Sequence, residues 1–170
     1  MWWPRAGLVV VLLLAALGLP GCQIRPLYAT SAGEAGPQAD LPAIAVDEPV
    51  SREEQVFRNA LLLALRGGGD GAAARYSLIY RLTIREQEIA VERDTGTPNA
   101  YQLTGGVSFL VKEIATGRSM FGSNVTAIDS YTRSSQNYAN IRARRDAEDR
   151  LAEALAELAQ ARLAAFFATN

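Results

Sequence analysis

Sixteen arginines, a single lysine (Lys112) and eighteen carboxylates carry most of the chemistry available to this 170-residue chain, which has one cysteine, Cys22, and no histidine. That inventory excludes much. Without histidine there is no neutral-pH imidazole and no Ser-His-Asp or Cys-His pair. A zinc centre of mixed His and Cys ligands cannot be assembled either. Paired-carboxylate chemistry remains open in principle, but no spacing of Asp and Glu marks one pair out. Arginine forks grip phosphate and carboxylate bidentately, which an ammonium does not. A GC-rich genome would give the same arginine bias. No cofactor or metal motif is present, and the residue types point to binding rather than catalysis.

The context of Cys22 is the most specific feature. Met1-Trp2-Trp3-Pro4-Arg5 supplies one positive charge, and an apolar run from Leu8 to Leu17 leads to Leu19-Pro20-Gly21-Cys22. About ten apolar residues are too few to cross a bilayer comfortably but suit the core of a secretory signal. Leu-x-Gly-Cys resembles the bacterial lipobox, where cleavage precedes a cysteine that receives a diacylglyceryl group; Pro20 is an unusual occupant. On this reading residues 1–21 are removed, Cys22 is acylated, and no internal disulfide is available. Two or three acyl chains, at about 0.8 kcal/mol per buried methylene, anchor a protein stably. Gln23 stands where lipoproteins retained in the inner membrane often carry Asp, so the resemblance implies sorting to the outer membrane of a didermal bacterium.

Residues 22–170 suffice for one domain with one core. A formal charge of −1 gives no global field to attract nucleic acid. Residues 22–40 read as a tether broken by Ser31, Gly33, Gly36 and Pro37. A first strand is expected over 41–46. Ser51-Arg52-Glu53-Glu54 has capping-box spacing and opens a helix over 51–66, which Gly67-Gly68-Gly69 ends. Tyr76, Leu78, Tyr80, Leu82 and Ile84 then alternate with polar residues. Past residue 85 the apolar phase passes to Gln87, Ile89 and Val91, which predicts a bulge or sharp bend near Arg85–Glu88, and residues 94–99 read as a turn or short loop.

Tyr101, Leu103, Val107, Phe109 and Val111 form the inward side of a third strand, and residues 115–118 a tight hairpin. Phe121, Val125, Ala127 and Tyr131 line a fourth strand, followed by a polar loop over 132–139. From Asn140 a helix runs to the end. Its expected apolar stripe is Ile141, Ala147, Leu151, Leu155, Leu158, Ala161, Ala165 and Phe166. Arg145 with Asp149, and Asp146 with Arg150, are neighbours four apart. The order specifies an α+β domain over 41–170: a four-stranded, mostly antiparallel sheet with two helices packed on one face. The opposite face is left to Thr, Ser, Asn, Gln and Arg side chains, and is wide enough to receive a partner.

The start Cys22 to Tyr28 (Cys-Gln-Ile-Arg-Pro-Leu-Tyr), the stretch Ser130 to Ala139, the following Arg144-Arg145-Asp146-Ala147-Glu148 and the Leu/Ala-rich terminal helix resemble the LptE family of lipopolysaccharide-assembly lipoproteins, in its alphaproteobacterial form. The resemblance covers essentially all of the chain after residue 21. It implies a non-enzymatic outer-membrane lipoprotein that plugs the LptD β-barrel, assists its assembly and binds lipopolysaccharide during insertion into the outer leaflet. Candidate contacts to lipopolysaccharide phosphates are Arg81, Arg85 and Lys112 on the polar sheet face, Arg118 at a hairpin tip and Arg133 in a loop; the plainer reading of each is a solvated surface charge or an internal ion-pair partner. An auxiliary lipoprotein of an envelope lipid transporter needs the same anchor and fold, and a carboxylate-dependent envelope hydrolase is a third reading.

Overall fold

The computed structural model describes residues 40–91 and 98–169. The expected signal segment, Cys22 and the tether up to residue 39 lie outside them. A 3-10 turn, Leu41–Ala43, leads into β1 (Ile44–Val46), α1 (Arg52–Arg66), β2 (Tyr76–Val91), β3 (Pro98–Glu113), β4 (Ser119–Thr132) and α2 (Asn137–Thr169). The strands form one sheet in the order β1-β2-β3-β4; β1 lies parallel to β2, and the other two pairings are antiparallel. This is the α+β arrangement read from the sequence.

Helix α1 forms where its caps place it. The Ser51 hydroxyl accepts from Glu54 N–H at 3.2 Å, an amide that the first turn leaves unpaired, and the Glu54 carboxylate accepts from the N–H of Val50, just before the cap, at 2.8 Å. Gly67 ends the helix at φ 61°, in the left-handed region that glycine tolerates, and its N–H reaches Leu63 C=O. Phe57, Leu61 and Leu65 enter the core. Fully burying a side chain of this size stabilises by about 1.5–3 kcal/mol. Phe57 meets Tyr80 of β2 with ring centres 5.0 Å apart, so α1 packs over the first half of that strand.

Helix α2 covers β3 and β4 on the same face. It buries Ala147, Leu151, Ala152, Leu155, Ala156, Ala159, Leu163 and Ala164. The expected stripe was correct at Ala147, Leu151 and Leu155; Ile141, Leu158, Ala161 and Ala165 instead face solvent. The helix is pressed on two sides, by the sheet and by α1, which widens its buried arc and draws in alanines that permit close approach. Asp149, expected to pair with Arg145, instead meets Arg52 of α1 at 2.5 Å, and Arg150 holds Asp129 of β4 at 2.9 Å. At the far end Phe166 stacks on Phe121 at 4.7 Å and Phe167 meets Tyr76 at 5.0 Å.

Two adjacent glycines of β3 mark the two faces. A Cβ on Gly105 would lie 2.8 Å from Leu155 Cδ1 and 3.0 Å from Leu151 Cγ and Cδ2. One on Gly106 would meet nothing closer than Thr83 Oγ1 at 3.5 Å. Gly105 is therefore what lets α2 approach the sheet.

The bulge lies further along than the sequence suggests. Register between β2 and β3 is unbroken from Tyr76 to Glu88 and shifts only around Ala90. The expected change of phase does not occur. Glu86 keeps the inward alternation of Tyr80, Leu82 and Ile84, because groups of β4, the following loop and α2 neutralise it there. Ile89 and Val91 are 53% and 60% exposed rather than inward. Helix α2 also begins at Asn137, three residues before the expected start.

Candidate functional site: a polar sheet face and an arginine cleft

The β-register fixes which side chains share the open face. Arg81 lies opposite Ser108, which lies opposite Asn124; Arg85 lies opposite Thr104, which lies opposite Ile128; Lys112 lies opposite Ser77 and Ser119. Cross-strand partners share a face, so Arg81, Arg85 and Lys112 stand on one surface, as the alternation requires. At about 3.3 Å per residue, neighbouring cations on this face are separated by about 13 Å along the strand direction. That suits several phosphates or acidic groups on an extended partner better than a single anion. Ile79 and Leu110 also face this side, so the surface is mostly polar with an apolar patch.

Arg118 projects from the β3–β4 hairpin with its side chain 70% exposed, 3.9 Å from Glu113. Arg133 is elsewhere. It follows β4 and turns beneath the stacked rings of Tyr101 and Tyr131, whose centres are 5.3 Å apart. Its guanidinium lies 4.3 Å from the Tyr101 ring centre and donates to both phenol oxygens, at 3.2 and 3.3 Å. The structure thus brings together three of the five candidates, with Arg118 at a tip and Arg133 at a second location.

That second location is an open cleft of about 410 Å³, lined by Arg133, Asn137, Asn140, Ile141, Arg144, Arg145 and Glu148. Three elements build it. The loop after β4 brings Arg133, and Asn140 fixes the loop's course: its side chain accepts from Ser134 N–H and donates to Ser134 C=O, both at 2.8 Å. The first turns of α2 bring the amides and the other two arginines. Strand β2 brings Glu86 behind them, its side chain 24% exposed. Glu86 accepts from the Tyr131 hydroxyl at 3.0 Å and lies 3.8 Å from Arg133 and 3.2 Å from Arg144. Arg144 also holds Glu148 at 2.9 Å. Arg145 has no ion pair among the described residues.

The electrostatics follow from these contacts. Burial, and then the hydrogen bond to Glu86, push the Tyr131 phenol above its ordinary value, so it stays a donor. Burial by itself would lower Arg144, but the hydrogen bond to Glu148 and the charge of Glu86 outweigh it and raise its pKa. Arg133 is raised likewise, with Tyr131, Tyr101 and Glu86 outweighing burial. Guanidiniums and amides lining an open cleft at the positive end of a long helix are suited to an anion. Asn137, Asn140, Arg144, Arg145 and Glu86 were not singled out as site residues from the sequence. The visible signals were the Arg144-Arg145 pair and the acidic residue that interrupts an apolar alternation. Among the described residues no group of three His, Cys, Asp or Glu could hold a metal, and no helix is long and apolar enough to cross a membrane.

Residues 41–163 match the family described as LptE, lipopolysaccharide-assembly. The chain belongs to the LptE family. No curated protein matches it. Among solved structures, a Caulobacter crescentus protein described as a lipoprotein is 25% identical, with a TM-score of 0.64, over 79% of this chain and 97% of that one. A minor lipoprotein from Acinetobacter baumannii shares the fold at 18% identity and a TM-score of 0.57, covering 72% of this chain and 90% of its own. Family membership makes this LptE-family chain a lipopolysaccharide-assembly lipoprotein of the cell envelope.

Proposed function

We propose that this LptE-family protein is held at the periplasmic side of the outer membrane by acylated Cys22 and partners an LptD-like β-barrel as a plug. In that role it assists the barrel's assembly and the insertion of lipopolysaccharide into the outer leaflet. The observation that carries the reading is the one-sided sheet. Both helices cover one face, and the other presents Arg81, Thr83, Arg85, Thr104, Ser108, Lys112, Asn124 and Thr126 in register. The lumen of an outer-membrane barrel is polar, and a plug needs such a surface to meet it. The arginine cleft, Arg133 included, and the open-face cations supply bidentate and point-charge partners for lipid phosphates, with Arg118 at the hairpin tip. No step of the role requires catalysis.

Affinity isolation of the tagged chain from solubilised outer membranes tests the partnership. A large outer-membrane barrel should co-purify in a fixed ratio. Recovery with an inner-membrane ABC transporter, and no barrel, would instead favour an auxiliary component of an envelope lipid transporter.

A further inference from the structure

Glu86 is, among the described residues, the strand carboxylate that stands on the inner face of the sheet and touches arginines of the cleft. It lies beside two of the three cleft arginines and takes positions on them that an anionic ligand would need. Arg144 is shared between Glu86 and Glu148 through the same Nε, at 3.2 and 2.9 Å. Arg133 Nη2 lies 3.8 Å from Glu86 and also donates to the Tyr131 hydroxyl, while Nη1 donates to the Tyr101 hydroxyl. With Arg133, Arg144 and Arg145 set against Glu86 and Glu148, five charged groups leave the cleft a single net positive charge. We propose that Glu86 is the affinity-setting residue of this cleft: an internal counter-ion that competes with the entering phosphate for Arg133 and Arg144. This rests on the reading of the cleft as a phosphate site for lipopolysaccharide.

The contact has two opposed effects. Glu86 orients Tyr131, Arg133 and Arg144, which favours folding. Its negative charge repels any anion arriving at the same guanidiniums, which disfavours binding. A purely structural Glu86 would show only the first effect. The two separate when the charge is removed and the shape is kept, as in Glu86→Gln.

The probe is phenyl phosphate, titrated by calorimetry into the full chain in detergent at a pH where the probe is dianionic. The parent protein should bind measurably, and Glu86→Gln should bind about threefold to tenfold more tightly, from the loss of a charge about 6 Å from a dianion in a water-like dielectric. Its thermal midpoint should fall at the same time. Tyr131→Phe removes the hydroxyl that Glu86 accepts but leaves the carboxylate in place, so it should lose stability with no gain in affinity. Should Glu86→Gln fail to fold, Glu148→Gln relieves the other competitor of Arg144 and should also bind more tightly. Equal or weaker binding by the folded Gln variants than by the parent overturns the role assigned to Glu86. Failure of parent and variants alike to bind overturns the cleft as a phosphate site, and the inference with it.

Discussion

Replacing Gly105 by alanine inserts one carbon where helix and sheet come closest. The new Cβ would stand 2.8 Å from Leu155 Cδ1 and 3.0 Å from two atoms of Leu151, against an ordinary contact beginning at 3.4 Å. Each leucine must therefore give way by roughly half an ångström. Leu151 and Leu155 are 1% and 0% exposed, so neither can swing into solvent. Relief comes from off-rotamer side chains or a shift of α2, and overpacking of this kind costs about 1–3 kcal/mol. Alanine recovers about 0.5–1 kcal/mol because glycine loses more chain entropy in a strand. The net expectation for Gly105→Ala is destabilisation by about 1–2 kcal/mol. Gly106→Ala is the internal control: its Cβ projects onto the open face with nothing nearer than 3.5 Å, so only the entropic gain applies. Urea unfolding reads both directly, as a lowered midpoint for Gly105→Ala and an unchanged or raised one for Gly106→Ala, at constant slope. If Gly105→Ala were as stable as the parent, or Gly106→Ala as damaged as Gly105→Ala, the account of how α2 seats on the sheet would be wrong.

Ser51→Ala removes the acceptor for Glu54 N–H and should cost about 1 kcal/mol in urea unfolding, whereas Ser51→Gly, a tolerated cap residue, should cost only about a few tenths. The triple replacement of Arg81, Arg85 and Lys112 by alanine should weaken binding of purified lipopolysaccharide while leaving the circular dichroism spectrum and unfolding midpoint near the parent's, since all three stand on the open face; unchanged binding would remove them from the site. Burial, reinforced by Glu54, pushes the Tyr80 phenol up to about 12 from 10.0. An unfolded phenol loses its proton near 10 while the folded one keeps it, so stability is level below that pH and falls as pH rises from about 10 toward 12. Tyr80→Phe should flatten that decline in urea titrations across the alkaline range, and a decline of equal slope would refute the assignment.

The elements were legible because each carries its own local instruction. The Ser51–Glu54 box and the triple glycine bounded α1 to within a residue. Period-two alternation placed Arg81, Arg85 and Lys112 on one face before any register was known. Three features were not legible, for one reason: each depends on what lies across the fold. Glu86 reads as an outward residue in a one-dimensional pattern and becomes inward only when Tyr131, Arg133 and Arg144 converge on it. The buried arc of α2 depends on α1 pressing from the side, which a single-stripe template does not represent. The cleft needs a loop, a helix end and a distant strand together, and so leaves no contiguous motif, although the stretch from Ser130 through Glu148 contains most of its lining.

The order of elements along the chain also bears on when this domain can fold. Strands β2, β3 and β4 each pair antiparallel with the strand next in sequence and can pair as they emerge. The side chains that cover their inner face, from Ala147 to Ala164, belong to α2, which follows the entire sheet. Phe57 and Leu61 of α1 reach β2 early but leave β3 and β4 open. A chain delivered from its N-terminus therefore passes through a stage in which Leu103, Val107 and Val125 are wet and no helix stands over them. Closure over β3 and β4 comes only with α2, so a chain threaded across a membrane reaches its stable form after translocation rather than during it.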